Sequence, residues 1–432
     1  MLRIALPLAF AELGWMFMSV VDNIMVGRLP DSAAAIGSAS VGAAFFYVFA
    51  IFGIGLMSGL DTLISHAWGA GRLPEARRTL ASGLTLALVA TPLVAACVLA
   101  TLPLLQILGV APEIRTQAAD FTRILTCSLP LLLAYTCFRR YLQGIHHVRP
   151  IPFALVSANL VNLAGNWILI YGHWGAPALG VRGSALSTVV ARFYLAAVLL
   201  YAVHRRDPAA LRHLRPDPAL VRQLFRLGLP AALTIGFEVG VFHTVTALIA
   251  TLDPVSLAAH TIALNAASVT YMVPLGIASA AAVSVGRALG ANDRPAAARA
   301  GWTALGIASA FEVCAALTFV LLPRPISRLY THDPKVVALS VTLFGIAAVF
   351  QLFDGLQTVA TGALRGAGNT RTAMKWNLIC YWVIGLPLGC WLGFVLRGGA
   401  VGFWDGLCLA LILIGAGLLG KWYFLTKLWK DT

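Results

Sequence analysis

The sequence predicts an all-α polytopic membrane protein with twelve transmembrane helices, in two six-helix lobes related by a pseudo-two-fold axis along the membrane normal. Three observations predict this fold class. Of the 432 residues, 59% are hydrophobic and only 11% are charged, whereas an ordinary soluble domain has about 25% charged residues. Apolar stretches long enough to cross a bilayer recur from end to end, and short motifs of the first half recur in the second. A soluble globular fold is therefore excluded.

The spans are defined by length and by the breaks between them. Each transmembrane helix needs roughly 20 apolar residues, and turn or charge signals such as 69–78 and 290–299 separate the apolar runs. The first run, 4–26, is too long for the apolar region of a signal peptide, so we expect it to remain as the first span. The predicted spans are 3–28, 34–68, 75–102, 115–143, 151–171, 182–203, 223–250, 255–289, 296–322, 335–365, 372–396 and 400–425.

The basic residues orient the chain. An even number of spans puts both termini on one side, and most of the 31 Lys and Arg residues fall in loops on that side. The positive-inside rule then makes both termini cytoplasmic and predicts a multi-pass protein of the cell's inner membrane. Because the net charge of +14 is distributed in short clusters between apolar runs, it does not indicate a nucleic-acid partner.

An internal repeat defines the predicted lobes. The motif at 2–7 is echoed at 225–230, and the segment 55–69 is echoed at 276–290. Six spans per repeat is an even number, so both halves insert the same way up, an arrangement that alternating-access transporters use. The predicted parts are an N-lobe of helices 1–6 (1–204), a cytoplasmic linker (205–222) and a C-lobe of helices 7–12 (223–432).

Ionisable side chains inside the spans are few and are the main functional candidates. Such a group costs about 2.5–3.5 kcal/mol on insertion scales and is a functional hypothesis by default. The repeat distinguishes residues that serve the fold common to both halves from residues with a function in one half. Four buried acids have no acidic residue at the equivalent position of the other half, which favours a functional role: Asp22, Asp61, Glu238 and Asp354.

Helical spacing places several polar residues on common faces. One interpretation is interhelical hydrogen bonding, worth about 0.6 kcal/mol per contact, and the other is a water-filled or ion-binding pathway. The three stripes are Glu12, Trp15, Ser19 and Asp22 in the first span, Asn159, Asn162 and Asn166 in the fifth, and Gln351, Asp354 and Thr358 in the tenth.

Glu238 and Asp354 are predicted to hold the coupling ion. No basic residue lies at comparable depth in the second half, so each carboxylate needs a proton or a metal cation such as Na⁺, which oxygen ligands bind. No catalytic residue and no cofactor is predicted. In the first half, the competing structural interpretation pairs Arg123 or Arg192 with Asp22 or Asp61, and the role of Asp61 is left open.

Two further sets of residues are open to more than one interpretation. Glu312 is alone in its span and fits helix packing as well as a functional role. The aromatic residues Trp15, Phe237 and Tyr271 could stack on a bound organic cation or could simply pack against neighbouring helices.

Taken in order along the chain, the motifs resemble the multidrug and toxic compound extrusion (MATE) family. The likeness covers essentially the whole chain, and the pair Glu238 and Asp354 resembles the NorM-type branch. The motifs are VDNIMVG at 21–27, GLDTL at 59–63, GAGR at 69–72, LGLP at 227–230, AAHTIALN at 258–265, MVPLG at 272–276, QLFDG at 351–355 and ALRG at 363–366.

The resemblance implies a secondary transporter, not an enzyme: a monomeric antiporter coupled to Na⁺ or H⁺ that exports amphiphilic, mainly cationic drugs and toxic compounds by alternating access. Glu238 and Asp354 would form the cation site of the second lobe. Asp22 would be the ion-binding carboxylate of the first lobe, with hydrogen-bonding neighbours on the fifth and sixth spans. Asn166 departs from relatives that have an acid there. The implied neighbours of Asp22 are Asn162, Asn166 and Thr188.

Two alternative functions can be weighed. An exporter or flippase of a lipid-linked or biosynthetic product should have cationic groups for phosphate in its central cleft, whereas the central candidates here are acidic. An intramembrane aspartyl protease using Asp22 and Asp354 should carry a GxGD motif, which this sequence lacks.

Overall fold

The protein is built from long apolar helices. The computed structural model describes residues 1–107, 109, 111–212 and 215–431, and this part of the chain contains no strand. Eleven helical segments are long and apolar enough to cross a membrane, and the bent pair α6 (Pro112–Cys127) and α7 (Leu129–Gly144) makes the number twelve. The predicted fold class is therefore confirmed.

The helix bounds follow the predicted spans, with short helices added at some ends. In the first half the helices are α1 (Leu2–Val26), α2 (Ser32–Leu56), α3 (Gly59–Gly69), α4 (Leu73–Ala100), α5 (Leu104–Ile107), α6, α7, α8 (Pro150–Tyr171), α9 (Val181–Arg206) and α10 (Ala209–Arg212). In the second half they are α11 (Pro218–Ala250), α12 (Pro254–Gly290), α13 (Arg294–Leu321), α14 (Pro323–Tyr330), α15 (Pro334–Gly366), α16 (Thr370–Asn377), α17 (Leu386–Cys390) and α18 (Gly399–Asp431). The π-helical segments Leu378–Gly385 and Trp391–Val395 continue α16 and α17, so that Thr370–Val395 forms one span.

The region predicted as a linker, 205–222, contains the end of α9, the short helix α10 and the start of α11. Residues 213 and 214 of this region lie outside the described residues. The boundaries of the predicted lobes stay a prediction.

Aspartate and proline begin the long helices of the second half. The side chains of Asp253, Asp293 and Asp333 cap α12, α13 and α15, each accepting a hydrogen bond from a backbone N–H of the first turn. A proline lies in the first turn of each of these helices, where its missing N–H costs nothing and its fixed φ suits the helix. The sequence therefore determines where these helices begin.

The chain divides into two compact units. The first unit is Phe10–Ala232, and the second unit is Met1–Ala9 together with Leu233–Thr432. In the first unit, a Cβ at Gly55 would lie 2.5 Å from the Cα of Ala232, and in the second unit a Cβ at Gly276 would lie 2.5 Å from the Cα of Ala9. These equivalent glycines of the repeat thus allow close backbone packing of α2 against α11 and of α12 against α1.

A second close approach joins α12 and α15 inside the second unit. Gly362 and Gly366 are one turn apart on α15, and a Cβ on either would clash with the backbone carbonyl oxygen of Ala278 or Ala282 on α12. Small residues four apart are what allow two helices to pack backbone to backbone in a membrane. This contact fixes the two helices that carry much of the polar site described below.

Replacing Gly362 by valine should therefore destabilise the fold by about 1–3 kcal/mol, the usual cost of overpacking. The matched control is Gly345→Val on the same helix, where a Cβ meets no atom within 4 Å. Thermal unfolding in detergent measures the difference. Equal melting temperatures for the two variants would contradict the close packing of α12 and α15.

An ion-pair cluster joins three segments of the first unit near the end of α9. Arg77 Nε donates to both carboxylate oxygens of Asp207, at 3.1 and 2.9 Å, and the hydroxyl of Tyr141 donates to Asp207 Oδ2 at 2.7 Å. Burial alone would raise the pKa of Asp207, but the hydrogen bonds from Arg77 and Tyr141 outweigh burial and hold its pKa below the usual range. The ionised carboxylate is therefore part of the folded structure.

Replacing Asp207 by asparagine should lower stability at neutral pH by about 1.5–3 kcal/mol, the worth of hydrogen bonds to a charged group. A carboxyl group whose pKa is lowered in the folded state contributes stability above its unfolded pKa, and this contribution is lost as the pH falls through the folded value. The difference in melting temperature between wild type and Asp207→Asn should therefore shrink below about pH 4. The exposed Asp31, whose side chain makes no capping bond, is the control: Asp31→Asn should show no such trend.

Candidate functional site

The first polar cluster surrounds Asp22 and is built from α1, α8 and α9. Asn166 Nδ2 donates to Asp22 Oδ1 at 2.6 Å, and Thr188 Oγ1 lies 3.2 Å from Asp22 Oδ2. Asn166 Nδ2 also lies 3.2 Å from Asn162 Oδ1, and both asparagines are fully buried. The structure thus brings together the four residues that the resemblance associates, and the hydrogen-bond partners of Asp22 are neutral.

The arginines that the sequence offered as partners of these acids bind elsewhere. Arg192 donates to Ser128 Oγ at 2.6 Å and to the Tyr47 hydroxyl at 2.9 Å, and its guanidinium lies 4.8 Å from the ring centroid of Phe46. Arg123 pairs with Asp120, at 3.1 Å. Neither arginine forms a direct ion pair with Asp22 or Asp61 in the described part of the chain, because hydroxyls, an aromatic face and a nearer acid supply their contacts. Arg192 is nevertheless an electrostatic neighbour of Asp22.

Two arginines that the sequence analysis did not single out neutralise the other acids of the first unit. Arg139 forms an ion pair with Glu12, and Arg140 lies 2.8 Å from Asp61, which is fully buried. A buried acid that loses its partner is costly, so these pairs give Glu12 and Asp61 a structural role. The sequence contains a signal for such pairs, because two consecutive arginines lie inside the predicted span 115–143.

The second polar cluster lies in the second unit and joins α11, α12 and α15. The Tyr271 hydroxyl donates to Glu238 Oε1 at 3.2 Å. Asp354 is 6% exposed, its Oδ1 has no hydrogen-bond partner, and Glu238 is one of its electrostatic neighbours. Neither acid has an ion-pair partner in the described part of the chain. Unlike Glu12 and Asp61 of the first unit, these two acids form no ion pair with an arginine.

One face of α15 presents polar side chains to this cluster. Gln351, Asp354 and Thr358 share a helix face, where Gln351 interacts with Glu312 and Thr358 interacts with Tyr271. The amide of Gln351 is held by Thr270, whose Oγ1 accepts from Gln351 Nε2 at 2.6 Å. Buried polar atoms are almost always hydrogen-bonded, and the buried Oδ1 of Asp354 has no such partner, so this face is a candidate site for a cation or a proton.

Glu312 on α13 adds a third acid to the second cluster. It is fully buried, its side chain interacts with Gln351, and it is an electrostatic neighbour of Asp354. Its side chain lies against Gly355, where a Cβ would come 2.5 Å from Glu312 Cγ. A buried carboxylate without a counter-charge is costly, so Glu312 is a further candidate for binding a proton or a cation.

The donor set can be compared with what a metal ion needs. The described residues contain no group of three or more His, Cys, Asp or Glu side chains placed to hold a metal ion. A Na⁺ ion bound by Glu238 and Asp354 would therefore depend on neutral oxygens, and Gln351 and Thr358 offer them. A proton needs no such set, so the donors fit both coupling ions.

The predicted aromatic contacts are partly used for packing. Trp15 stacks on Tyr135, with ring centroids 5.9 Å apart. The backbone carbonyl of Phe237 accepts a hydrogen bond from Trp382 Nε1 at 3.0 Å, which fixes α11 next to Glu238. Of Trp15, Phe237 and Tyr271, it is Tyr271 whose side chain contacts a predicted ion-binding acid, Glu238.

Comparison with known proteins places these features in a family. The MatE family profile matches residues 7–168 and again residues 230–391, so the second match begins 223 residues after the first. This match confirms the internal duplication expected from the repeated motifs.

Relatives in sequence cover nearly the whole chain. The chain is 39% identical to the multidrug resistance protein NorM of Burkholderia vietnamiensis, over 98% of this chain and 93% of the relative. It is 33% identical to a probable multidrug resistance protein NorM of Brucella suis biovar 1, over 98% and 92%. The third relative, a probable multidrug resistance protein NorM of Pseudomonas aeruginosa, is 35% identical over 98% of this chain and 88% of the relative.

Solved structures support the fold. The eukaryotic MATE transporter AtDTX14 matches with a TM-score of 0.86 at 21% identity, over 96% of this chain and 93% of that one. An outward-facing multidrug resistance MATE family transporter of the MOP superfamily matches with a TM-score of 0.90 at 18% identity, over 100% and 96%. With a matching family profile and close relatives along its whole length, the chain belongs to the MatE family and is a secondary membrane transporter, not an enzyme.

Proposed function

We propose that this transporter is an antiporter that exports amphiphilic, mainly cationic compounds by alternating access in exchange for Na⁺ or H⁺. The names of its relatives, multidrug resistance proteins, support export of diverse small molecules. We further propose that it acts as a monomer in the inner membrane. The distribution of basic residues favours an orientation with both termini in the cytoplasm.

The observation that carries the proposal is the set of acids without counter-charges in the second unit. Glu238, Asp354 and Glu312 lie on three different helices, and Asp354 has both other acids as electrostatic neighbours. Neighbouring carboxylates without a basic partner favour binding of a proton or a cation, because each negative charge opposes ionisation of the others. A coupling-ion site is the function that such a cluster serves best.

Glu238 and Asp354 are the proposed ion ligands of this cluster, and Tyr271 holds Glu238 in position. Asp22 is the proposed second ion-binding acid, with Asn166 and Thr188 as neutral partners. Neutral donors can stabilise the ionised carboxylate and still leave it able to bind a cation, whereas an arginine would neutralise it permanently. A coupling ion can therefore bind and leave.

Competition between drug and ion for these acids accounts for exchange. A cationic compound that enters from the cytoplasm is displaced when the coupling ion enters from outside. Each net charge moved gains about 2.3 kcal/mol per 100 mV, which corresponds to a roughly 50-fold gradient at 1.4 kcal/mol per tenfold. A one-for-one exchange of monovalent cations gains nothing from the potential, so transport then depends on the ion gradient or on a second ion.

The flippase alternative needs basic groups for a phosphate-bearing cargo. In the first unit the buried arginines Arg139 and Arg140 are engaged by acids, and Arg192 is engaged by hydroxyls. The candidate ion ligands are acidic in both units. This distribution of charge favours a cationic cargo.

Replacing Glu238 by glutamine or Asp354 by asparagine should each reduce ion-driven drug efflux by about tenfold or more, the equivalent of 1.4 kcal/mol. The reason is that each change removes a charged ligand of the proposed ion site while keeping the side-chain size. Efflux is measured in reconstituted vesicles with a Na⁺ gradient and a pH gradient imposed separately, which also identifies the ion. Glu113→Gln, at an exposed acid of α6, is the control, and undiminished efflux in both site variants would refute the proposal.

Removing the partners of Asp22 should act through Asp22 itself. Asn166→Leu removes the 2.6 Å hydrogen bond to Asp22 and should lower efflux in the wild-type background by roughly tenfold, because a hydrogen bond to a charged group is worth about 1.5–3 kcal/mol. In an Asp22→Asn background the same change should have little further effect, since residues that act as a unit are not additive.

Ser157→Ala on the same helix is the control for this cycle, because its hydroxyl bonds only to the backbone of α8. It should leave efflux unchanged in both backgrounds. Additive losses from Asn166→Leu and Asp22→Asn would mean that Asn166 acts independently of Asp22.

A further inference from the structure

A basic cleft lies between the start of α13 and the end of α18, both in the second unit and away from the acidic cluster. Its volume is about 750 Å³. Four basic side chains line it, together with aromatic residues of both helices, and none of the described lining residues is acidic. The basic residues are Arg294 and Arg299 on α13 and Lys427 and Lys430 on α18.

Helical spacing places these side chains on the helix faces that line the cleft. On α18, Tyr423, Lys427 and Lys430 are separated by four and three residues and so share a face. On α13, Arg299 and Trp302 are three residues apart and share the facing side. The cleft is thus formed by two complementary faces and not by a single flexible loop.

The floor of the cleft is tightly packed. Trp302 Nε1 donates to Thr426 Oγ1 at 3.4 Å across the two helices. Trp422 is fully buried, and it makes an edge-to-face contact with Trp429 at 5.6 Å between ring centroids. Any Cβ at Gly301 would clash with the ring of Trp422, so α13 and α18 approach closely beneath the cleft. The basic side chains therefore extend from a rigid base.

The positive charge around the cleft favours binding of an anion. Arg299, Lys427 and Lys430 carry like charges around this one cleft and repel one another. The neighbouring acid Asp293 is directed at its own helix, where its Oδ1 accepts a hydrogen bond from Ala296 N at 2.8 Å. Arginine and lysine donors together match the oxygens of a phosphate group, which they bind through charge-assisted hydrogen bonds.

We propose that this cleft binds the phosphate headgroup of an anionic phospholipid. The cleft lies at the ends of two membrane-spanning helices, where a lipid headgroup is found, and tryptophan and tyrosine are typical of that level of the bilayer. Beside the basic residues, Tyr423 and Phe424 are 53% and 63% exposed and give an acyl chain an apolar surface. Basic pockets between transmembrane helices bind such headgroups. Free phosphate has no acyl chain, so it would not contact the apolar surface.

Lipid binding to the purified full-length protein tests the proposal, with phosphatidylglycerol, phosphatidylcholine and inorganic phosphate as separate probes in native mass spectrometry or thermal-shift titration. We expect phosphatidylglycerol to bind and stabilise the wild type in preference to the other two. The double variant Arg299→Gln/Lys427→Gln should bind phosphatidylglycerol roughly 30-fold more weakly, at about 1 kcal/mol per basic residue. Lys427→Arg, which keeps the charge, should retain binding.

The matched control is Arg205→Gln/Arg222→Gln, which removes the same charge from exposed positions in the predicted linker region. It should bind phosphatidylglycerol as the wild type does. Equal loss in both double variants would show that only net charge matters and would overturn the proposal. Wild-type affinity in the cleft variant, or phosphate binding as strong as lipid binding, would also overturn it. Because the substituted side chains are exposed, melting temperature without lipid verifies that each variant is folded.

Discussion

The free-energy cost of an unpaired charge in a membrane interior is the constraint on which the arrangement of this transporter depends. The first unit meets it by pairing: Arg139 with Glu12 and Arg140 with Asp61. Asp22 has neutral amide and hydroxyl neighbours instead. Glu238 and Asp354 of the second unit have no ion-pair partner in the described chain. The contrast separates acids that are paired within the fold from the acids that we propose as ion ligands.

Close backbone packing makes the acidic cluster possible. Gly362 and Gly366 let α15 pack directly against α12, the two helices that carry Asp354 and Tyr271. Gly355 leaves the space that the Glu312 side chain fills next to Asp354. A methyl group at Gly362 or Gly366 would overlap the backbone of α12, so the two helices would have to move apart. The small residues of the second unit therefore serve the site as much as the fold.

Much of the fold and part of the site could be predicted from the sequence. Apolar length gave the spans, because a helix that crosses lipid must satisfy its own backbone and be long enough to do so. The stripe of Gln351, Asp354 and Thr358 followed from helical periodicity. The pairing of Arg192 could not be predicted correctly, because a side chain several Å long selects among all neighbours within reach. Arg139 and Arg140 lie near the end of the predicted span 115–143, and only the packing of α7 shows that they pair with the buried acids Glu12 and Asp61.

The sequence by itself determined that this chain is a duplicated, twelve-span helical membrane protein of the MatE family, and which few acids lie in its spans. Those features depend on composition, periodicity and order along the chain, which are local properties. Only the tertiary structure decided which acids are neutralised by arginine, that Glu312 joins Asp354, and that basic residues of α13 and α18 line one cleft. Partner choice depends on the rotation and closest approach of helices distant in sequence, and those are set by packing.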